Sequence, residues 1–259
     1  MAEIQITPDL VEEALFLWMR AASERGDLAL VEDWERERES AYLEPSGAAR
    51  EAAFGALASS RFRELELGAP LSSSLEHCPH ASTIIERVLV RKVARPRDEG
   101  SELYVDESND GEATSARLTL AICAQTFLDP SALADLTLRE YLHAEDMLDP
   151  EFGYRPALSP DQPLEPARHE LVRDRSRMLW EARVAGRMAA LQDAQDPLPD
   201  PPPIFQRAFS SLSGERCLAL WSAAWYQRLG TWDGMIEAAH TCGDAQAQLD
   251  QGTPCSPTP

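Results

Sequence analysis

The chain has 259 residues, enough for one large domain or two smaller ones, and its 44% apolar content is enough to bury a core. Its 44 acidic residues against 24 basic ones leave a formal charge of −20, a field that disfavours nucleic acid and anionic membrane as partners. Five cysteines (Cys78, Cys123, Cys217, Cys242, Cys255) form no CxxC pair and no cluster, which argues against a thiolate zinc site or a disulfide framework and fits a reducing cytoplasm.

The amino terminus, MAEIQITPDLVEE, is acidic and has no basic region followed by an apolar run, so no export signal is expected. No apolar run approaches the ~18 residues of a membrane span. Residues 8 to 40 read as helical, because Pro8 suits a first turn and Leu10, Ala14, Leu17, Trp18 and Ala21 recur at helical spacing. Gly26 interrupts, and a charged amphipathic helix resumes from 28 to 42. A further helix follows over 48 to 67, with Ala53, Phe54, Leu57 and Phe62 inward, and ends at Gly68-Ala69-Pro70.

The middle of the chain changes character. Residues 83 to 93, TIIERVLVRKV, are rich in β-branched side chains and predict a strand; 102 to 105 and 117 to 123 predict two more, separated by a polar loop over 106 to 114. A helix is expected after Asp129-Pro130, ending at Pro150. An extended loop (151 to 166), a long helix (167 to 192) and a stiff DPLPDPPP segment (196 to 203) follow. Two last helices fit 204 to 229 and 232 to 249. The organisation expected is thus a helical region (1–70), an α+β core (71–195), a proline-rich linker (196–203), C-terminal helices (204–250) and a disordered tail (251–259).

The chemistry-bearing stretch is LREYLHAEDMLDP, residues 138 to 150. On a helical wheel, Leu138, Tyr141, Leu142 and Leu148 form an apolar sector, while Arg139, His143 and Asp146 share another, with Glu140 beside them. In HExxH, two histidines one turn apart bind zinc and the intervening glutamate activates the zinc-bound water. Here Glu140 and His143 stand in place, but Arg139 occupies the first ligand position, and a guanidinium has no lone pair for a metal.

With its strands first, then the motif helix, a loop and a second long helix, the chain resembles the zincin-type metallopeptidases over about residues 83 to 195. It also resembles uncharacterised bacterial proteins in which an intact HExxH runs into D-M-L-D-P-x-F-G-Y, written here DMLDPEFGY, Asp146 to Tyr154. The resemblance implies a zincin-like α+β core with helical additions at both ends. It implies zinc ligation by His143, with a third ligand from Asp149 or from the following long helix, where Glu181 is favoured over Glu170 and His169. Glu140 would be the catalytic base. With Arg139 in the site, a degenerate zincin is expected: its guanidinium replaces the metal and pairs with Glu181 or Asp146. Zinc catalysis is then lost and no cofactor is needed, and a protein or peptide is bound in the old cleft or in an exposed apolar groove near Tyr154 or the tryptophan-rich helix. Three other readings stay open. One is an active zinc peptidase using His143, Glu181 or Asp149 and an unidentified group. Another is an ordinary helix in which Asp135 pairs with Arg139 at i, i+4. The third is a di-iron carboxylate site built from Glu140-x-x-His143 and Glu237-x-x-His240 with Glu51 or Glu64 and Glu181.

Smaller signals have structural explanations. His77-Cys78-Pro79-His80 reads as a turn before it reads as a metal grip, and Ser72 to Ser74 read as linker. Trp221, Trp225, Tyr226 and Trp232 read as core.

Overall fold

A computed structural model of the chain describes residues 2–107, 113–156, 165–192 and 197–250, with no side chains described at 107 or beyond 241. Most of the polar loop expected over 106 to 114 lies outside the described residues, as do the tail from 251 and the first residue of the proline-rich segment. The chain divides into two compact units, Met1–Glu145 and Asp146–Pro259, so the division falls inside a helix and not at 70/71 and 195/196.

The first unit opens with β1 (Glu3–Ile6), a strand to which the sequence analysis assigned no structure. Four residues are too few for a readable alternation; β1 exists because it pairs parallel with β2 (Ile85–Val93), Ile6 opposite Val90. Residues 1–70 therefore contribute a strand to the same sheet as the middle of the chain and do not stand apart as a helical region. Next comes α1 (Pro8–Arg25), whose buried stripe is Leu10, Val11, Ala14, Leu15, Met19 and Ala22. It stops at Gly26, whose φ of 89° lies in the left-handed region that a Cβ disfavours. After α2 (Leu28–Tyr42) comes α3 (Gly47–Glu64), capped by the Ser46 hydroxyl, which accepts the Ala49 N–H at 3.2 Å. Two short helices, α4 (Ala69–Leu75) and α5 (Pro79–Ile84), occupy the stretch expected as linker and turn. Each has a proline in its first turn, where the missing N–H is no loss.

The sheet is completed by β3 (Gly100–Glu107) and β4 (Ala113–Cys123) in the order β1-β2-β4-β3. β1, β2 and β4 run parallel, while β3 is antiparallel to β4 and forms an edge. The fold class is therefore α+β with a small mixed sheet of four strands and a majority of helix. Inward positions of β2 and β4 (Ile85, Val88, Val90; Leu118, Leu120, Ile122) are buried, as strand alternation requires. The chain then enters α6 (Pro130–Leu148), whose first turn is capped by Asp129: its carboxylate accepts the N–H groups of Ser131 and Ala132 at 3.0 and 3.1 Å.

The second unit is helical, with α7 (Pro166–Leu191), α8 (Pro203–Ala208), α9 (Gly214–Trp225) and α10 (Trp232–Asp250). The single helix expected over 204 to 229 is two, because Ser213 caps a new start by accepting the Arg216 N–H. Phe152, Leu179, Phe205, Trp221, Trp232 and Met235 lie in one core. Trp221 and Trp232 are buried there, while Tyr226 of the same aromatic-rich stretch is exposed. Among the described residues, no helix is long and apolar enough to cross a membrane.

α7 and α9 touch at Gly186, where a Cβ would stand 2.0 Å from the Trp225 carbonyl oxygen. Gly186→Ala should therefore lower the unfolding free energy by about 3 kcal/mol, since backbone cannot yield as a side chain would. Gly214→Ala, in open space at the start of α9, should leave it nearly unchanged. Urea titrations of the two variants measure the contrast.

Candidate functional site

α6 is the element on which the candidate residues lie, and its surroundings in the first unit fix its rotation. Thr137, Tyr141 and Glu145, four residues apart, form one stripe facing α4 and α5. The Thr137 and Ser74 hydroxyls lie 2.9 Å apart. Tyr141 donates its hydroxyl to the Leu71 carbonyl at 2.9 Å, and burial pushes its pKa well above the usual phenol range. Glu145 accepts the N–H groups of His80 and Ala81 at 3.2 and 2.7 Å, and its Oε1 lies 3.0 Å from His80 Nδ1. That last anchor explains the HCPH run: it starts a helix whose free N–H groups are capped by a buried carboxylate. Cys78 beside it is fully buried. Sequence reasoning missed Glu145 because its partners are some 65 residues upstream.

With that rotation set, the predicted apolar sector of Leu138, Tyr141, Leu142 and Leu148 is buried. Glu140 turns toward the edge strand β3. Its side chain is 11% exposed; Ser101 donates to Oε2 at 2.7 Å, and Arg139 donates to Oε1 from Nε at 3.0 Å and Nη2 at 2.9 Å. Neighbouring side chains on a helix diverge, so this pairing requires the long guanidinium to fold back along the helix surface. Arg139 is 43% exposed, so the ion pair by itself adds little stability. Its consequence is chemical: both oxygens of the expected base are engaged. His143 is half-buried on the same helix.

The DMLDPEFGY continuation belongs to the second unit, and each of its distinctive residues has a structural task. Asp146 is 1% exposed and accepts from Trp180 Nε1 at 2.8 Å, Arg183 Nε at 3.2 Å and Arg187 Nη1 at 2.6 Å, all on α7. The guanidinium expected beside Asp146 is thus supplied by Arg183 and Arg187, while Arg139 is bonded to Glu140. Both α7 arginines lie one and two turns from the buried face that carries Leu179, close enough to converge on one carboxylate. Asp149 ends the helix: its Oδ1 accepts the Glu151 N–H at 2.8 Å and its carbonyl accepts the Gly153 N–H at 3.2 Å. Gly153 has φ 68°, a left-handed turn that suits glycine. Phe152 and Tyr154 enter an aromatic group with Trp180 and Trp232, in which Tyr154 lies 5.2 and 5.0 Å from the two indoles. Rings at such centroid distances pack against one another, so half-buried Tyr154 leans on the core of the second unit. Burial raises the pKa of its hydroxyl above the usual phenol value.

Of the proposed metal ligands, His143 belongs to the first unit; Asp149 and Glu181 belong to the second. Glu181 is half-buried and lines a cavity of about 820 Å³ with Met178, Phe205 and Trp221. His169 and Glu170 sit in the first turns of α7, half-buried and exposed. Among the described residues, no group of three His, Cys, Asp or Glu side chains is arranged to hold a metal ion. For the di-iron reading, Glu51, Glu64 and Glu237 are exposed, whereas bundle ligands project inward. Glu64 is engaged by Ser60 and Arg61.

Removing the Asp146 carboxylate leaves two largely buried guanidinium groups without their acceptor. Asp146→Ala should reduce stability by about 3–5 kcal/mol, measured by chemical denaturation, with Asp146→Asn recovering only a minor part because it restores size and not charge. No family model matches the chain, and neither does any curated protein or solved structure with which it was compared.

Proposed function

We propose that the chain is a zincin-like scaffold whose zinc catalysis has been lost and which binds a protein or peptide, in the cytoplasm, along its exposed edge strand. One observation carries the reading: Arg139 stands where an intact motif has its first histidine, and its guanidinium holds the adjacent Glu140 carboxylate. In an intact site the first residue gives a lone pair to the metal and the glutamate keeps one free for water. Here the first residue has none to give, and the second spends its own on Arg139 and Ser101.

The order of elements supports the scaffold. Parallel strands precede α6, the antiparallel strand β3 lies at the sheet edge, and Ser101 of that strand touches the motif glutamate. The binding role rests on β3 itself. It is eight residues long, carries exposed Tyr104 and Val105, and among the described residues one of its sides has no strand partner, so an extended peptide can add to it by backbone hydrogen bonds.

Elemental analysis tests the catalytic half. The purified protein should hold no stoichiometric zinc, and Arg139→His should bind zinc with submicromolar affinity, which a pair of histidines alone does not reach. Stoichiometric zinc in the unaltered protein would overturn the loss of catalysis; no zinc gained by Arg139→His would overturn the zincin scaffold. For the binding half, peptides selected on the whole protein should bind Val105→Pro at least about tenfold more weakly, since proline distorts the edge and removes a ladder donor.

A further inference from the structure

A second feature of the first unit shares no residue with α6. α2 is fifteen residues long, yet Ala41 is its single buried residue. An amphipathic helix is normally held by its apolar face, so one with so little burial leaves that face to be covered. The unfilled space is a groove of about 450 Å³ between α1, α2 and α3, walled by Leu15, Phe16, Met19, Val31, Trp34 and Phe54. Phe16 is 64% exposed at its mouth. A volume of this size accommodates a small organic ligand.

The charged groups around the groove are Glu12, Arg20, Glu35 and Arg38. Glu12 and Glu35 are exposed and remain hydrated, and Arg20 pairs with Glu24 at 3.7 Å. Arg38 differs. It is half-buried, its guanidinium carbon lies 5.9 Å from the Trp34 ring centre and 5.6 Å from that of Phe54, and its hydrogen bond to the Tyr42 hydroxyl is long, at 3.5 Å. Among the described residues no carboxylate lies within ion-pair distance of it, although the chain carries 44 acidic residues. Stacking on two aromatic faces holds the guanidinium in place and leaves its N–H fork open toward an anion.

We infer that this groove binds an amphipathic monocarboxylate, a hydrocarbon tail with a single carboxylate head. The tail covers the Leu15, Phe16 and Met19 wall and the apolar side of α2, and the head accepts the paired N–H groups of Arg38. A neutral amphiphile gains the first of these and not the second. A cationic one meets Arg38 with the wrong sign.

Titration calorimetry of the full-length protein with decanoate, 1-decanol and decyltrimethylammonium separates these cases. Decanoate should bind at one site, at least about tenfold more tightly than decanol. Arg38→Gln should bring decanoate down to the affinity of decanol while leaving decanol unchanged, and that unchanged arm reports an intact groove. Phe16→Glu, at an exposed position, should weaken both ligands. The proposal is overturned if decanoate does not bind, if Arg38→Gln leaves its affinity unaltered, or if decyltrimethylammonium binds best through Glu12 and Glu35. A dimer that Phe16→Glu dissociates would also overturn it, since the groove would then belong to a second copy of the chain.

Discussion

Three carboxylates are buried within seven residues of one helix: Glu140, Glu145 and Asp146 on α6. A buried carboxylate without donors is strongly disfavoured, by several kcal/mol even after the surroundings relax, so the chain around α6 must supply them. Glu145 takes backbone N–H groups at the start of α5, Asp146 takes the indole and two guanidinium groups of α7, and Glu140 takes Ser101 and Arg139. These requirements fix the rotation of α6 against α4, α5 and β3 in the first unit and join its last turn to α7 in the second.

The same requirement bears on chemistry. Glu140 and Glu145 are both glutamates on one helix, yet the first accepts side-chain donors beside an edge strand and the second accepts main-chain donors at a helix start. Of the two, the first lies beside the edge strand β3. Its engagement by a guanidinium satisfies burial at the expense of a free lone pair. A stabilised carboxylate and an available base are alternative uses of the same two oxygens, and in this chain the first use prevails.

Charge distribution gives the remainder of the molecule its character. With a formal charge of −20, most basic side chains find an acidic partner nearby, as when Lys92 on β2 bridges Asp9 and Glu13 on α1 and is held protonated by Glu13 above all. Such exposed pairs add little to stability. Against that background Arg38, stacked on two aromatic rings and, among the described residues, with no carboxylate within ion-pair distance, is the exception on which the inferred anion site rests.

By itself the sequence determined that α1, α3, α6 and α7 are helices, the strand character of β2 and β4, and the apolar sector of α6, because periodicity is a local property written at fixed spacing. Of the inward residues it assigned to α1 and α3, only Leu10, Ala14 and Phe62 are buried, since which side of a helix is covered depends on its neighbours. It also displayed the RExxH substitution and the DMLDPEFGY continuation. Only the tertiary structure decided that β1 is a strand, that Ser72 to Ser74 and the HCPH run belong to short helices, that Asp146 is claimed by Arg183 and Arg187, and that Arg139 closes on Glu140. Each of those outcomes pairs groups far apart in the chain, or selects among several donors within reach. Spacing along a sequence names the candidates for a hydrogen bond, but the choice among them is made by which element folds against which.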